Sequence, residues 1–583
     1  MRKIGIVVVS LILNACSPTS PSATDNPQTA DLVIINASVY TLDWPDPAAD
    51  GTLARSAPHD GTFWQPDAQA IAIADGSLIA VGTNEAALAL RGRDTRVIDV
   101  AGASVLPGLV DSHTHIFNLG ASLSRVSLYD VDTEEEAVAR IVAKAADVPA
   151  GEWIIGQGWD EGAWANRYPD MRLLSAEVPD HPVYMRSLHS FAGWGNARAF
   201  ARAGITSETA TPNGGEIGYF DNGEPSGLLL NRAVPLLEAA IPPPTREQMT
   251  QQVLTALAQM AADGYVTVHD AGLEGAEMAI LESLEAEGRL PLRVYAMLSV
   301  RDESLAREWL EKGPDADAAS YLVTRSVKAY YDGALGSRGA RLLEDYSDRP
   351  GHRGVSGDEY GFNQALVAQM MRRGFQVAIH AIGDAGNRET LDFLTDVYRD
   401  DPTLRAQRNR IEHAQVIDPA DMARFGQLNL IASMEPPHAV EDKTWAEQRL
   451  GPERVLGAYA WRTLRQSGAM LTFNADNPGS DHNIFYGIHA ALTRRDKAQQ
   501  PTTGWYAQES VNIDETLRAY TSWSAYAAFR EDVTGILEVG RWADVTVMDI
   551  DPFKLAQTDP GAILDGRILL TIVAGKVVYE AEP

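Results

Sequence analysis

A single cysteine, Cys16, stands among 583 residues. That excludes a disulfide within the chain, and with it a structural zinc site built from cysteines. Positive charge is scarce as well: 49 Lys and Arg face 79 Asp and Glu, for a formal charge of -30. Nucleic acid and anionic membrane surfaces are repelled by such a chain, so no nucleic-acid partner is expected. With a lone cysteine a sulfur-rich soft-metal site is not expected, whereas imidazole nitrogens and carboxylate oxygens suit zinc and its first-row neighbours.

The opening is also short of a membrane span. After Arg2 and Lys3, the apolar run from Ile4 to Leu13 is too brief to cross a bilayer as a helix and reads as an export signal. It ends Leu13-Asn14-Ala15-Cys16, which resembles the lipobox of bacterial lipoproteins, in which the cysteine is lipidated. The expected location is therefore the bacterial cell envelope, on the periplasmic side, with membrane contact only through a lipid on Cys16. The Pro/Ser/Thr-rich stretch that follows, to residue 30, reads as a flexible tether.

The length suits two or three structural units. Short strand-like texts with Gly, Asp and Asn turns, such as "DLVIINASVYTLD" and "AIAIADGSLIAVG", return only at the far end as "GRWADVTVMDID" and "ILLTIVAGKVVYE". A small antiparallel unit stitched from both termini is the economical arrangement, a composite β-sandwich from 31–105 and 535–583. Between them apolar strands alternate with helical patterns: "SVLPGLVDSHTH", "YVTVHDAG", "LRVYAMLSV", "SVKAYYDG", "FQVAIHAIGD", "RIEHAQ", "LIASMEPPH" and "AMLTFNADNP". Eight such strands imply an α/β fold, a TIM-type (β/α)8 barrel over 106–122 and 244–534, whose chemistry sits at the C-terminal strand ends. The Gly-, Pro-, Trp- and Asn-rich segment 123–243 reads as an insertion after the first barrel strand, placed to wall or cover the site. No internal repeat is visible.

The strand ends carry polar residues where an apolar interior is expected. His113 and His115 end the first strand, Lys328 lies in the fourth, His380 ends the fifth, His413 ends the sixth and Asp476 follows the eighth. Residues two apart on an extended strand share a side, so His113 and His115 can reach one metal ion together. Lys328 cannot ligate as an ammonium. It is either one half of a buried ion pair, with Asp332 the nearest candidate, or a carbamate able to bridge two metals.

These motifs, "PGLVDSHTH", "VKAYYDGALGSR", "HAIGD", "EHAQ" and the aspartate of "NADNP", together resemble the amidohydrolase superfamily. More narrowly they are similar to its family-3, YtcJ-like branch, which includes N-substituted formamide deformylases, over about residues 31 to 579. The resemblance implies two divalent metal ions, zinc by preference. His113 and His115 would hold one, His380 and His413 the other; carbamylated Lys328 would bridge, and Asp476 would ligate and act as catalytic base for a metal-activated hydroxide.

Three departures touch the pocket. Glu435-Pro436-Pro437-His438 stands where the branch commonly has Gln-Pro-x-His, Ala475-Asp476-Asn477-Pro478 stands for Ser-Asp-Trp-Pro, and Ser187 replaces an aspartate. Candidate substrate-binding residues are His189 and Trp194, with Asn196 beside them, then Arg338 for a carboxylate and His438 for an oxyanion or substrate oxygen. His269 is expected in a supporting role. The expected activity is hydrolysis of a C–N bond, other than a peptide bond, in a small-molecule amide. A cyclic-amide or ester hydrolase of the same fold and a non-catalytic ligand-binding lipoprotein stay open, as does a homodimer.

Overall fold

The computed structural model describes residues 28–582 except 130, 161–163, 165–167, 188–190, 316 and 318. The export signal, most of the tether and His189 lie outside the described residues. Among those described, no helix is long and apolar enough to cross a membrane.

Eight parallel strands form one sheet curled into a nearly closed barrel. In chain order they are β1 (Leu109–Thr114), β2 (Tyr265–Leu273), β3 (Arg293–Ser299), β4 (Leu322–Tyr330), β5 (Gln376–Ala381), β6 (Arg410–His413), β7 (Ile431–Met434) and β8 (Met470–Phe473). Each crossover carries at least one helix, the order a parallel sheet needs to bury both faces. The helix Gln364–Arg373 shows how local sequence sets the ends. Asn363 accepts a hydrogen bond from the Leu366 amide, and Gly374 follows at φ 105, a left-handed stop that glycine adopts without strain.

The seam between β8 and β1 is not a full ladder. Asn477 closes it: its carbonyl accepts from the His115 amide at 3.0 Å, and its Oδ1 accepts from Thr114 Oγ1 at 2.7 Å. Ser112 Oγ adds a bond to the Phe473 carbonyl. A residue that reads in sequence as a departure in the substrate pocket thus stitches the barrel shut beside the site.

The text "SVLPGLVDSHTH" is two strands rather than one. Ser104–Pro107 belongs to a small five-stranded sheet with Ser38–Val39, Val545–Met548, Ile568–Val573 and Lys576–Glu580, and only β1 enters the barrel. Gly108 is the crossing point. A Cβ there would stand 2.4 Å from Val266 Cγ2, so the chain passes from sheet to sheet where no side chain fits.

A four-stranded sheet of Ser77–Gly82, Ala70–Ala74, Ala30–Ile35 and Arg91–Asp99 shares an apolar core with the five-stranded one, among it Ile34, Ile71, Val105, Val547 and Ile572. Both termini contribute to that core. Neither sheet is purely antiparallel, since Ala30–Ile35 runs parallel to Arg91–Asp99 and Ser38–Val39 parallel to Ser104–Pro107.

The segment 123–243 is more ordered than its composition suggests. It carries a six-stranded sheet, Gly215–Tyr219, Pro225–Asn231, Ala192–Gly195, Val183–Ser187, Ile154–Trp159 and Val126–Ser127 in spatial order. Trp159, Trp164, Met185 and Trp194 pack a core of its own. Its tryptophans therefore serve burial rather than solvent.

Candidate metal centre

At the C-terminal end of the barrel the imidazoles converge. The ring centroids of His113 and His115 lie 5.4 Å apart, those of His113 and His413 5.0 Å, and those of His380 and His413 4.4 Å. Asp476 Oδ1 stands 3.2 Å from His115 Nε2 and 3.5 Å from His113 Nε2. Donor atoms of His113, His115 and Asp476 lie within 4.8 Å of one another, and so do those of His413, His438 and Asp476. Asp476 is common to both groups, and His438 joins a ligand set in which the sequence did not count it.

Local backbone explains how these side chains meet. β1 ends at Thr114, so strand alternation carries His113 but stops one residue short of His115, which the Asn477 seam holds in place. On β6 the alternation that turns Glu412 inward would send His413 out. His413 and Ala414 sit at φ 72 and 41, and this left-handed turn brings the imidazole back to the mouth. Asp476 is left-handed too, at φ 47. Such backbone costs roughly 1–3 kcal/mol per residue and clusters where function holds it.

Beneath the mouth lies a buried charged network. Arg410 crosses the barrel interior, donating to both oxygens of Glu412 at 2.7 and 2.9 Å, to the Ser112 carbonyl, to Ser433 Oγ and to His269 Nδ1. Glu412 Oε2 in turn meets His113 Nδ1 at 2.6 Å. That contact places the imidazole proton on Nδ1 and leaves Nε2 as the lone-pair donor toward the cluster. Burial drives the Glu412 carboxyl up, but Arg410, His113 and Lys328 outweigh it and hold it well below the usual carboxylate range. His269, buried beside Arg410, is held well below the usual imidazole value by burial and by that guanidinium. It braces Arg410 and does not reach the mouth.

Lys328 is buried within the barrel, its Nζ 3.0 Å from His113 Nε2. Burial pushes its pKa down. Asp332 is not its partner: those carboxylate oxygens accept the amides of Arg341, Ile382 and Gly383. Burial raises the Asp476 carboxyl, yet the imidazoles of His113, His115 and His413 outweigh it and hold it well below the ordinary range. Glu435, buried between His413 and His438, is lowered to about 2, burial being outweighed by those two imidazoles.

The residues fit metal ions. His380 Nε2 and His413 Nδ1 are buried with no hydrogen-bond partner; the carboxylate oxygens facing them are Asp332 Oδ1, 3.6 Å from His380 Nε2, and Glu435 Oε2, 3.3 Å from His413 Nδ1. Orphaned buried nitrogens aimed into a cluster of imidazole and carboxylate donors are what a cation satisfies. Glu412→Gln is expected to weaken metal affinity roughly 10- to 100-fold, since a neutral amide no longer polarises His113, and to lower stability as well, since Arg410 loses its buried counter-charge. Competition against a chromogenic chelator measures the affinity, and an unchanged value would remove Glu412 from that role.

The other sequence candidates fall elsewhere. Trp194 is fully buried in the insertion's core, its indole N–H donating to the Asp170 carbonyl. Asn196 caps the helix Ala197–Ala203 and donates to the carbonyls of Val178 and His181. Arg338 is paired with Asp348 at 2.6 Å. None of the three is brought to the metal cluster. Sequence reading passed over Arg410 and Glu412 on β6, the strand singled out for His413, and took Glu435, one residue past β7, only as a departure in the pocket.

A parallel barrel with imidazoles and a carboxylate converging at its strand C-termini defines the class of barrel metallohydrolases. The model described as the amidohydrolase family matches residues 96–579, and the chain belongs to that family, as a metal-dependent hydrolase. YtcJ of Bacillus subtilis, named as an amidohydrolase, is 29% identical over 522 residues, covering 88% of this chain and 96% of that protein. The N-substituted formamide deformylase of Arthrobacter pascens is 26% identical over 95% of this chain and 99% of its own. Among solved structures, an uncharacterized metal-dependent hydrolase from Pyrococcus furiosus superposes with a TM-score of 0.68 at 27% identity, over 90% of this chain and all of that one.

Proposed function

We propose that this chain hydrolyses the C–N bond of an amide in a small molecule. The observation that carries the reading is the meeting of His113, His115, Lys328, His380, His413 and Asp476 at one end of the barrel. His113 and His115 would hold one divalent ion and His380 and His413 another, zinc by the chemistry of the donors, with Asp476 within reach of His113 and His115 on one side and of His413 on the other. Bound there, the ions supply Lewis acidity, which makes water a better nucleophile and the scissile carbonyl a better electrophile.

The protein's own groups do the rest. Burial lowers the Lys328 pKa, which favours the neutral amine relative to an exposed lysine. The Lys328 nitrogen would add to the carbon of carbon dioxide and lose a proton, giving a carbamate that would supply anionic oxygen ligands to the ions. Asp476, kept ionised by its imidazole neighbours, accepts the proton of the attacking water. As the C–N bond breaks it passes that proton to the departing nitrogen, leaving a carboxylic acid and an amine. His438 turns Nδ1 toward Glu435, 3.6 Å away, which keeps Nε2 for a substrate oxygen.

The relative named an N-substituted formamide deformylase supports the choice of an amide bond. The test is amine release from N-substituted formamides, N-acyl amino acids and aryl amides, with chelator-stripped and metal-reconstituted protein compared. Metal-dependent amine release from at least one class is expected. Turnover of esters or cyclic amides alone would instead favour that same-fold activity, and tight binding of such compounds without turnover would favour a non-catalytic lipoprotein. Export and lipid attachment at Cys16 belong to the same reading, on the strength of Leu13-Asn14-Ala15-Cys16. Cys16→Ser should move the chain from the membrane to the soluble envelope fraction, and an unchanged partition would contradict it.

A further inference from the structure

β4 carries a second side chain on the face that holds Lys328. Tyr330 lies two residues on, so its ring rises on the same side of the sheet, one layer nearer the mouth. Lys328 Nζ is 5.3 Å from the ring centroid, and the His380 ring is 6.2 Å away. The ring has a tailored place. Gly272 on β2 sits at φ 121, and a Cβ there would stand 2.4 Å from the Tyr330 hydroxyl.

Against the face of this ring lies Arg301, its guanidinium carbon 3.9 Å from the centroid and 5.0 Å from that of Tyr360. Arg301 follows β3, whose last residue, Ser299, is in register with Lys328, so the guanidinium stands at the barrel's catalytic end. It is exposed. Among the described residues no carboxylate lies within ion-pair distance of it, in a chain where acids outnumber bases. Its neighbour Asp302 is taken by the amides of Gly275 and Leu305. On the next loop, by contrast, Arg338 pairs with Asp348 and Arg341 with Glu389.

A guanidinium laid on an aromatic face is partly desolvated and fixed in orientation, while its N–H edges stay free for two parallel bonds. A carboxylate is the group that matches such an edge. The molecule as a whole repels anions, so an anionic substrate needs a local cation of this kind. We propose that Arg301, seated on Tyr330 and Tyr360, forms a carboxylate subsite, and that the substrates are therefore anionic amides of the N-acyl amino acid class. The carboxylate would anchor at Arg301 while the amide lies over the ligand cluster, one tyrosine ring deeper. This assignment rests on the amide-hydrolase reading above.

A matched pair of probes separates the two. N-formyl-phenylalanine and N-(2-phenylethyl)formamide share the scissile bond and the aromatic group and differ in the carboxylate. With the metal-reconstituted enzyme, kcat/KM is expected to favour the acid. Arg301→Met should shrink that preference at least about tenfold, through KM rather than kcat, and Arg301→Lys should retain part of it. A preference that Arg301→Met leaves intact, or no preference in the wild type, would overturn the subsite while leaving amide hydrolysis standing. If neither probe is cleaved, calorimetric titration with N-formyl-phenylalanine decides. Binding to the wild type that Arg301→Met loses would uphold the subsite although the hydrolase reading fails, and equal or absent binding would overturn it.

Discussion

Asp476→Asn is expected to cut amide hydrolysis by between about 10²- and 10⁴-fold, the usual worth of a positioned proton acceptor, while most of the metal stays bound. Asparagine is the informative replacement. Residue 476 sits at φ 47, a conformation that asparagine tolerates better than most uncharged residues other than glycine, so the backbone has no reason to move. The amide oxygen can still face a cation beside His115, yet it cannot take up the proton of water at neutral pH. The change therefore separates holding the ions from moving the proton. Metal content by elemental analysis and kcat on the best amide substrate are the two readings. A variant that keeps full activity would remove Asp476 from the proton transfer, and one that loses both ions would make it a ligand first.

Lys328→Met is expected to lose metal and activity together, with hydrolysis down about 10³-fold or more. Methionine fills much of the same volume in a buried position and leaves no charge without a partner, so folding is preserved. Near-wild-type melting behaviour with metal content reduced to one ion or none per chain is the expected pattern. Full metal retention would count against a bridging carbamate. A second reading is independent of turnover: wild-type protein loaded with 13C-bicarbonate and zinc should show a carbamate carbonyl resonance that the variant lacks.

How far such a site can be read in the sequence depends on where each residue's partners lie. His113, Lys328, His380 and His413 stood out because each breaks an apolar strand near its C-terminal end, a local signal. The barrel was legible for a similar reason, its strands and helices alternating in period. Glu412 and Arg410 gave no such signal, because their partners come from other strands: His113 lies 299 residues from Glu412, and Arg410 reaches Ser112 and His269 across 298 and 141 residues. Only closure of the barrel puts these groups face to face.

Asn477 is a related case. Next to Asp476 it read as a change in the substrate pocket, whereas the structure gives it the seam between β8 and β1. Arg301 and Tyr330 were silent for a different reason: a stacked guanidinium is defined by the ring under it, and spacing in sequence does not encode stacking. The insertion was underestimated too. Its glycines and tryptophans read only as an insertion placed to wall or cover the site, but Trp159, Trp164 and Trp194 lie in the core beneath a six-stranded sheet.

The central claim is that this cluster of imidazoles and a carboxylate is a two-ion centre. The most direct measurement is metal stoichiometry by elemental analysis, on the chain beginning after Cys16, purified without chelators or added metal. About two ions per chain are predicted. Reproducibly none, even after zinc and bicarbonate are offered together, would contradict it.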